Sequence, residues 1–420
     1  MQTVTRTKPI TPAAGTRPAF LSGQRQFAVA SARQAGTIPV PKRGLLALEG
    51  GLVHRGWLRG AQVAGEGDLI FTTAATGWGE ILTDPSYAGQ IVVLTHPMAG
   101  NYRISPGEFE SSRVHARALV VSRLVTPPEG PGWSLEELLI EAGIPAITDV
   151  DTRAITLQLR RGAARRAVIR RSTAALDLAE HQAARDAAEG DAAVAEAQAS
   201  PTWESVDHVA AVAAQEPFHA APDGTRSGRV VLVDFGVKDS LLRALTARGL
   251  EVIGLPPDVT AKDVAGYEPE LVILSPGPGD PARMATQIAL VRDLASAALS
   301  GGAPILGICL GHQLLALAVG APTRRLAVGH HGGNHAVIEV ASGRVDIGAH
   351  NHEVAVLDDP ALAAAGFEVS HRDLNDGTVE GLMHTSGRIA SVQFHPEGAP
   401  GPIDAACIFD LACERARVMA

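Results

Sequence analysis

Residues 305–319 read ILGICLGHQLLALAV, an apolar strand that runs directly into an Ala- and Leu-rich helix. Cys309 lies at the turn between Gly307 and Gly311, which is the pattern of a nucleophile elbow with cysteine in place of serine. The glycines matter because a sharp turn leaves no room for neighbouring Cβ atoms. The pattern predicts that Cys309 attacks a carbonyl carbon. The alternative, a small buried core cysteine, does not account for the two glycines.

Strands and helices alternate on the N-terminal side of this elbow. Strands are predicted at 230–234, 252–255, 271–275 and 305–308, with helices at 240–248 and 282–300. Strands separated by helices indicate an α/β fold with a doubly wound, mostly parallel sheet. In such sheets reactive groups gather beyond the carboxyl ends of the strands, where the elbow lies.

A second sharp turn, SPGPGDP at residues 275–281, follows the strand at 271–275. We predict that a backbone N–H of this turn, that of Gly277, binds a developing oxyanion together with the N–H of Leu310. A phosphate-binding loop is the competing interpretation, but neither GxxxxGK[ST] nor GxGxxG occurs there. Nothing in this half of the chain indicates ATP binding.

The third element is IASVQFHPE at residues 389–397, a strand that ends in a histidine with a carboxylate two residues later. A spacing of two along an extended chain places His395 and Glu397 on the same side. A carboxylate that holds one imidazole nitrogen leaves the other free to take a proton from a thiol. The sequence therefore predicts a triad of Cys309, His395 and Glu397.

A metal site is the alternative use for the histidines, of which the chain has 15. They are concentrated in GHHGGNH at 329–335 and HNH at 350–352. No cysteine or acidic residue accompanies these histidines at a familiar ligand spacing. We therefore expect no metal ion in this chain.

Composition limits the class of protein. A chain of 420 residues, 46% of them hydrophobic, is expected to form two domains. A net charge of −9 argues against nucleic-acid binding, and no apolar run is long enough for a membrane span. Three cysteines cannot form a disulfide framework and suit a reducing, cytoplasmic location. Cys407 and Cys413, in an apolar C-terminal helix, are interpreted as packing residues.

The domain boundaries follow from shifts in composition. Residues 44–214 are predicted to form a mixed β/α domain, with short strands up to about residue 124 and helices at 134–142 and 151–161, capped by Ser134 and Asp151. A linker is placed at 215–228 and the second domain at 229–420. Residues 1–43 contain seven Lys or Arg and no Asp or Glu, which predicts a disordered extension. An organellar transit peptide is the lesser alternative for this extension, because scattered prolines break any amphipathic helix.

The three motifs around Cys309, Gly277 and His395 together resemble class I glutamine amidotransferases. TGWGEILTDPSY at 76–87, DVDTR at 149–153, DFGVK at 234–238 and GHHGGNH at 329–335 look more specifically like the small chain of carbamoyl-phosphate synthase. The similarity extends from about residue 44 to the C-terminus. The first domain separates this family from other class I enzymes and implies docking onto a large subunit.

The resemblance implies a role for each site residue. Cys309 is the nucleophile, His395 the general base and acid, and Glu397 the group that orients the imidazole. Leu310 and Gly277 supply the oxyanion donors. The positions that bind glutamine are these two and Ala74, Gly279, Gln313, Asn351, Glu353 and Val354.

The implied reaction is hydrolysis of glutamine to glutamate and ammonia through a cysteine thioester. Ammonia then passes to the large subunit, which uses ATP, Mg²⁺ and bicarbonate to make carbamoyl phosphate for arginine and pyrimidine synthesis. This chain itself needs no cofactor, and its partner forms a heterodimer or a higher oligomer with it. Two alternatives stay open: a non-catalytic scaffold subunit, and a cysteine amide hydrolase or amidotransferase that serves a different synthetase.

Three positions depart from the family pattern. Ala74 stands where a serine that contacts glutamine is usual, Glu353 where glycine is usual and Val354 where phenylalanine is usual. Ala74 removes a hydroxyl donor, and Glu353 adds bulk and a negative charge near the substrate carboxylate. Backbone contacts from 353 and 354 are expected to survive.

Overall fold

The computed structural model describes residues 38–162, 164–173 and 182–419. Residues 1–37 of the predicted disordered extension lie outside the described residues. Its last two residues, Lys42 and Arg43, belong to the first strand, where they pair with Leu58 and Trp57. The first strand therefore begins before the predicted boundary at residue 44.

A closed barrel of seven strands forms the centre of the first domain as described, in the order β1-β2-β8-β6-β4-β3-β9. Its apolar runs fill the interior, and closure leaves no strand edge unpaired. The strands, including a separate short pair formed by β5 and β7, are β1 (Lys42–Leu48), β2 (Val53–Gly60), β3 (Gly65–Thr72), β4 (Gln90–Leu94), β5 (Met98–Ala99), β6 (Ala118–Val120), β7 (Arg123–Leu124), β8 (Pro145–Thr148) and β9 (Arg166–Arg171).

The helices of this domain are α1 (Trp78–Thr83), α2 (Leu135–Glu141), α3 (Thr152–Arg160) and α4 (Gln182–Ala199). Ser134 and Glu137 cap α2 reciprocally, and Asp151 accepts a hydrogen bond from the N–H of Ala154 at the start of α3. Both predicted caps are confirmed. The Ala-rich α4 packs against the outside of β1 and β9 through Ala193 and Ala197.

A ten-stranded sheet organises the second domain as described, in the order β10-β12-β11-β13-β14-β19-β18-β16-β15-β17. The strands are β10 (Phe218–Ala220), β11 (Gly228–Val233), β12 (Leu250–Leu255), β13 (Leu271–Leu274), β14 (Ile305–Ile308), β15 (Thr323–Glu339), β16 (Val345–Val356), β17 (Phe367–Asp373), β18 (Val379–His384) and β19 (Ile389–Val392). The predicted parallel arrangement is confirmed for β12, β11, β13, β14 and β19. The antiparallel strands on both flanks were not predicted.

Helices cover both faces of this sheet, which is the doubly wound arrangement. They are α5 (His208–Val212), α6 (Asp239–Thr246), α7 (Ala261–Ala265), α8 (Ala285–Leu299), α9 (Leu310–Ala318), α10 (Pro360–Ala364) and α11 (Cys407–Met419). The predicted helix at 282–300 begins later than expected, because Asp280 caps a single 3-10 turn at Pro281–Arg283 first. Among the described residues, no helix is both long and apolar enough to cross a bilayer.

The predicted linker at 215–228 contains structure of its own. Residues 218–220 pair antiparallel with β12, and the ring of Phe218 occupies the space that a side chain at Gly254 would need. Just before it, Val209 and Ala213 pack into the core of the second domain. The second domain therefore recruits chain from before residue 229, because the Pro and Gly residues that suggested a linker flank a short edge strand.

Candidate active site

Cys309 lies between β14 and α9 with φ 51° and ψ −103°, a strained conformation for a residue with a side chain. Its own N–H donates to the carbonyl of Val392 on β19. A Cβ at Gly311 would collide with the carbonyl oxygen of Leu274, and one at Gly307 would lie 2.8 Å from that of Gly311. The tight turn predicted from the two glycines is thus present, and Cys309 is 2% exposed.

His395 follows β19 and is held from two sides. Its N–H donates to the carbonyl of Ala349, and its Nδ1 lies 2.7 Å from Glu397 Oε1. Nε2 forms no hydrogen bond with the described protein atoms, so it is the nitrogen available for proton transfer. Lys238, 2% exposed, donates to the carbonyl of Gly398 and lies 3.4 Å from Glu397 Oε1.

Buried charges of opposite sign stabilise one another here. Burial lowers the pKa of His395, but attraction to Glu397 and Cys309 outweighs it and raises that pKa. Burial raises the pKa of Glu397, but attraction to His395 and Lys238 brings it well below the usual range. Burial also lowers the pKa of Lys238, and attraction to Glu397, Glu110 and Asp84 more than reverses this. The site therefore stabilises the imidazolium that forms when His395 takes up a proton beside an ionised carboxylate.

The two expected oxyanion donors lie at neighbouring turns. Leu310 is the first residue of α9, so its N–H has no acceptor within the helix. Gly277 lies so close to the carbonyl of Phe235 that a Cβ would collide with it. Ser275 fixes this loop, because its hydroxyl accepts from the N–H of Phe235 and donates to the carbonyl of Pro276.

A small, narrow cavity lies in front of Cys309. Its lining includes seven residues that the sequence indicated, namely Gly277, Gly279, Cys309, Gln313, Asn351, Glu353 and Val354. Ala74 and Leu310 are not part of this lining; Ala74 packs partly buried against the core of the first domain.

The other residues that line the cavity were not predicted as site residues: Ser86, Gln90, Trp203, Pro278, His331 and His352. Ser86 lies within the 76–87 motif and His331 within the 329–335 motif, so both had a sequence signal. Trp203 had none, because it lies in a polar, Ala-rich region. The first domain thus supplies part of the wall of the cavity, and the second domain supplies Cys309.

The amide side chains of the site bind mainly to protein groups. Gln313 Nε2 donates to the carbonyl of Val354 and to Gln393 Oε1, which leaves its own oxygen for another partner. Gln393 Nε2 in turn donates to Cys309 Sγ at 3.5 Å, a contact that the sequence did not indicate. Asn351 Nδ2 donates to Asp84, so this side chain joins the two domains at the cavity wall.

Glu353 is buried but its charge is compensated. Its carboxylate forms ion pairs with Arg165 of the first domain and Arg325 of β15, and lies 2.7 Å from His331 Nε2. Burial raises its pKa, but His331, Arg165 and Arg325 together lower it to about 2. The negative charge expected from the sequence is present, and two guanidinium groups offset it.

Family comparisons agree with this architecture. The class-I glutamine amidotransferase family matches residues 231–414, which include the elbow and the histidine–glutamate pair. The second domain is therefore a class-I glutamine amidotransferase domain. The CPSase domain of the carbamoyl-phosphate synthase small chain matches residues 46–169, the barrel region.

Curated relatives share both domains. The carbamoyl phosphate synthase small chain of Bacillus caldolyticus is 39% identical over 369 residues, which cover 87% of this chain and 94% of the relative. Those of Nitratidesulfovibrio vulgaris and Archaeoglobus fulgidus are 37% and 40% identical, with 87% of this chain and 96% of each relative covered. The chain belongs to the carbamoyl-phosphate synthase small chain family, as the sequence motifs predicted.

Proposed function

We propose that this amidotransferase subunit hydrolyses glutamine with Cys309 as nucleophile and passes the ammonia to a carbamoyl-phosphate synthase large subunit. The observation that carries the proposal is the strained Cys309 turn, which faces a cavity beside the buried His395–Glu397 pair. The membership of the family supports glutamine as substrate and a large subunit as partner.

The reaction begins when His395 Nε2 takes the thiol proton and Sγ attacks the side-chain amide carbon of glutamine. The negative charge develops on the amide oxygen, where the N–H groups of Leu310 and Gly277 stabilise it. His395 then returns the proton to the amide nitrogen, and ammonia leaves as the thioester forms. The attraction between His395 and Glu397 stabilises the imidazolium during this step.

The second half of the reaction releases glutamate. His395 takes a proton from a water molecule, whose oxygen attacks the thioester carbon and forms a second oxyanion. Collapse of this intermediate breaks the C–S bond, and the proton returns to the sulfur. These steps require no cofactor from this chain. ATP, Mg²⁺ and bicarbonate act on the large subunit, whose carbamoyl phosphate serves arginine and pyrimidine synthesis in the cytoplasm.

The deciding experiment measures glutamate release from glutamine by wild-type and Cys309→Ser protein, with and without a carbamoyl-phosphate synthase large subunit. Cys407→Ser, at the partly exposed start of α11, is the matched control. We expect wild-type turnover that rises with the large subunit, loss of at least about a thousandfold in Cys309→Ser, and no change in the control.

Two outcomes would replace this proposal. Glutamine-dependent carbamoyl phosphate synthesis that is unchanged in Cys309→Ala would indicate a non-catalytic scaffold subunit. Cysteine-dependent turnover that is indifferent to the large subunit, and that extends to other amides, would indicate an amide hydrolase or a subunit of a different synthetase.

A further inference from the structure

Strands β15 and β16 have two functional faces. Asn351, His352 and Glu353 of β16 all line the cavity at Cys309, but the side chains of His350 and His352, which alternate with Asn351 and Glu353 along the strand, reach Glu380 on the opposite face. There the rings of these two histidines pack against that of His330 from β15, with ring centroids 4.8–5.9 Å apart. This second face is as buried as the first.

A carboxylate completes this cluster. Glu380 of β18 is fully buried, and the three histidines are each less than 8% exposed. One imidazole nitrogen from each histidine and an oxygen of Glu380 all lie within 4.8 Å of one another. The sequence did not indicate an acidic partner, because Glu380 reaches the histidines from a separate strand.

The hydrogen bonds at the outer side of the rings determine which nitrogens face inward. His350 Nδ1 lies 3.2 Å from the carbonyl of Gly348, and His352 Nδ1 lies 2.9 Å from that of Val354. A carbonyl only accepts, so both Nδ1 atoms carry hydrogen, and the Nε2 atoms point into the cluster. His350 Nε2 forms a hydrogen bond of 2.9 Å with Glu380 Oε2, and His352 Nε2 lies 3.7 Å from the same carboxylate.

His330 repeats this arrangement with its nitrogens exchanged. Its Nε2 lies 3.0 Å from Asp376, while its Nδ1 lies 3.7 Å from Glu380 Oε1. Neither His330 Nδ1 nor His352 Nε2 has a hydrogen-bond partner within the described residues. Two buried imidazole nitrogens thus lie unpartnered beside a carboxylate that only accepts, and a cation that replaces the His350–Glu380 hydrogen bond would satisfy all of these groups.

We propose that His330, His350, His352 and Glu380 form a structural binding site for a divalent transition-metal ion, with Zn²⁺ as the ion that suits them best. Three imidazole nitrogens and one carboxylate oxygen are a ligand set typical of four-coordinate zinc. The outer hydrogen bonds to two carbonyls and to Asp376 are the contacts that orient metal-bound imidazoles. Binding draws the four ligand atoms closer together than in the ion-free arrangement.

The ion would join the strands that build the active site without taking part in the chemistry. It crosslinks β15, β16 and β18, and β16 carries both Asn351 and the carbonyl of Ala349 that binds His395. The four ligands close the coordination shell, so no open position is left for substrate. The inference is therefore independent of the proposed glutaminase reaction.

The test uses the full chain, stripped with a chelator and titrated with Zn²⁺ or Co²⁺. We expect about one equivalent of tightly bound metal per chain, the intense visible absorption of tetrahedral Co²⁺, and a higher Tm in Zn²⁺. X-ray absorption of the Zn²⁺-loaded wild-type protein should show three imidazole ligands. This measurement needs no variant, so a variant that fails to fold does not leave the question open.

Variants then locate the ion. His350→Gln and Glu380→Gln should weaken Zn²⁺ binding at least tenfold, whereas His219→Gln, which alters a part-exposed histidine of β10, should bind like the wild type. Wild-type protein that retains less than a tenth of an equivalent and shows no Co²⁺ absorption would overturn the proposal. So would binding that survives both ligand substitutions, or that is lost in His335→Gln alone.

Discussion

At the scale of single residues, the site depends on buried charges whose partners lie far away in the sequence. Glu397 stabilises a charged His395 two residues away, and Lys238, 159 positions earlier, neutralises Glu397 in turn. Such a chain of charges is costly to bury unless every member is paired. Removing one of these charged groups should therefore change the pKa of its neighbour measurably.

Substitution Glu397→Gln tests this coupling at His395. Loss of the carboxylate removes the strongest attraction that raises the pKa of His395, so that pKa should fall. Glutaminase turnover should fall by roughly 10²–10⁴-fold, the usual contribution of general acid–base catalysis. NMR titration of the His395 ring gives the pKa, and Glu368→Gln on β17, an exposed position, is the control. An unchanged pKa would contradict the assigned pairing.

Glu353 gives a prediction about stability and pH. Its folded pKa of about 2 lies below the ordinary value of 4.5, so ionised Glu353 stabilises the fold above pH 4.5, and this stabilisation is lost as the pH falls toward 2. The shift corresponds to about 3 kcal/mol at neutral pH. Urea unfolding of Glu353→Gln and wild type should differ by about this free energy at pH 7 and converge at low pH. A difference that does not depend on pH would refute the assignment.

At the scale of elements, the geometry of the turn at Cys309 depends on close backbone packing at its glycines rather than on charge. β14 and α9 meet at an angle that brings Gly311 against the backbone of Leu274, the last residue of β13. A methyl group there displaces either the helix or the strand. Since Cys309 lies in the same turn, the displacement reaches the nucleophile directly.

Substitution Gly311→Ala should therefore cost about 1–3 kcal/mol in the free energy of unfolding, the usual range for overpacking. It should also reduce glutaminase turnover, because Cys309 and the N–H of Leu310 both move. Gly107→Ala is the matched control, since the nearest atom to its added Cβ is 3.8 Å away. Chemical denaturation and steady-state kinetics measure both effects. Equal stability and equal turnover of the two variants would show that the turn can accommodate a methyl group at Gly311.

Elements with strong local signals were predictable, and those that depend on distant pairing were not. The caps of α2 and α3 and the parallel strands were found within a few residues, because capping residues and apolar runs are local. The long β15–β16 hairpin was missed, since its His- and Gly-rich stretch has no regular alternation and a shifted register. β10 was missed because three residues at a sheet edge carry little pattern.

The site residues also divide into those with a local sequence signal and those that depend on distant contacts. The prediction of a triad of Cys309, His395 and Glu397 rests on local motifs, whereas the environment of Glu353 could not be predicted, since Arg165 lies 188 positions away. The same holds for Trp203, which reaches the cavity only through folding of the whole chain. Sequence thus indicates which chemistry is available, and the tertiary structure determines which charges accompany it.

At the scale of the whole molecule, polar contacts between the two domains surround the cavity. Arg325 of β15 pairs with Asp68 of the barrel, and Arg165, just before β9, pairs with Glu353. Glu110 of the first domain accepts from Ser240 and pairs with Arg243 at α6. Since these contacts are buried or partly buried, domain coupling and cavity geometry are expected to change together.

Substitution Arg165→Met tests this connection. It leaves Glu353 with a weaker set of partners, so we expect a loss of about 3–5 kcal/mol in the free energy of unfolding and a higher KM for glutamine. Arg170→Met is the control, because its pair with Glu196 is more exposed and should contribute less than about 1 kcal/mol. A raised KM in both variants, or in neither, would show that the interdomain pair does not shape the cavity.

The strand edges of the barrel and of the ten-stranded sheet determine whether the free subunit can aggregate through backbone pairing. As far as the structure describes it, the barrel presents no free edge, and the ten-stranded sheet ends in a three-residue strand on one side, whereas β17 on the other side pairs with both β15 and β18. A very short edge strand and a terminal strand that is already paired on both sides both discourage strand addition by a second chain. Newly made subunits are thereby protected from edge-to-edge aggregation, and assembly is left to side-chain surfaces rather than to backbone pairing.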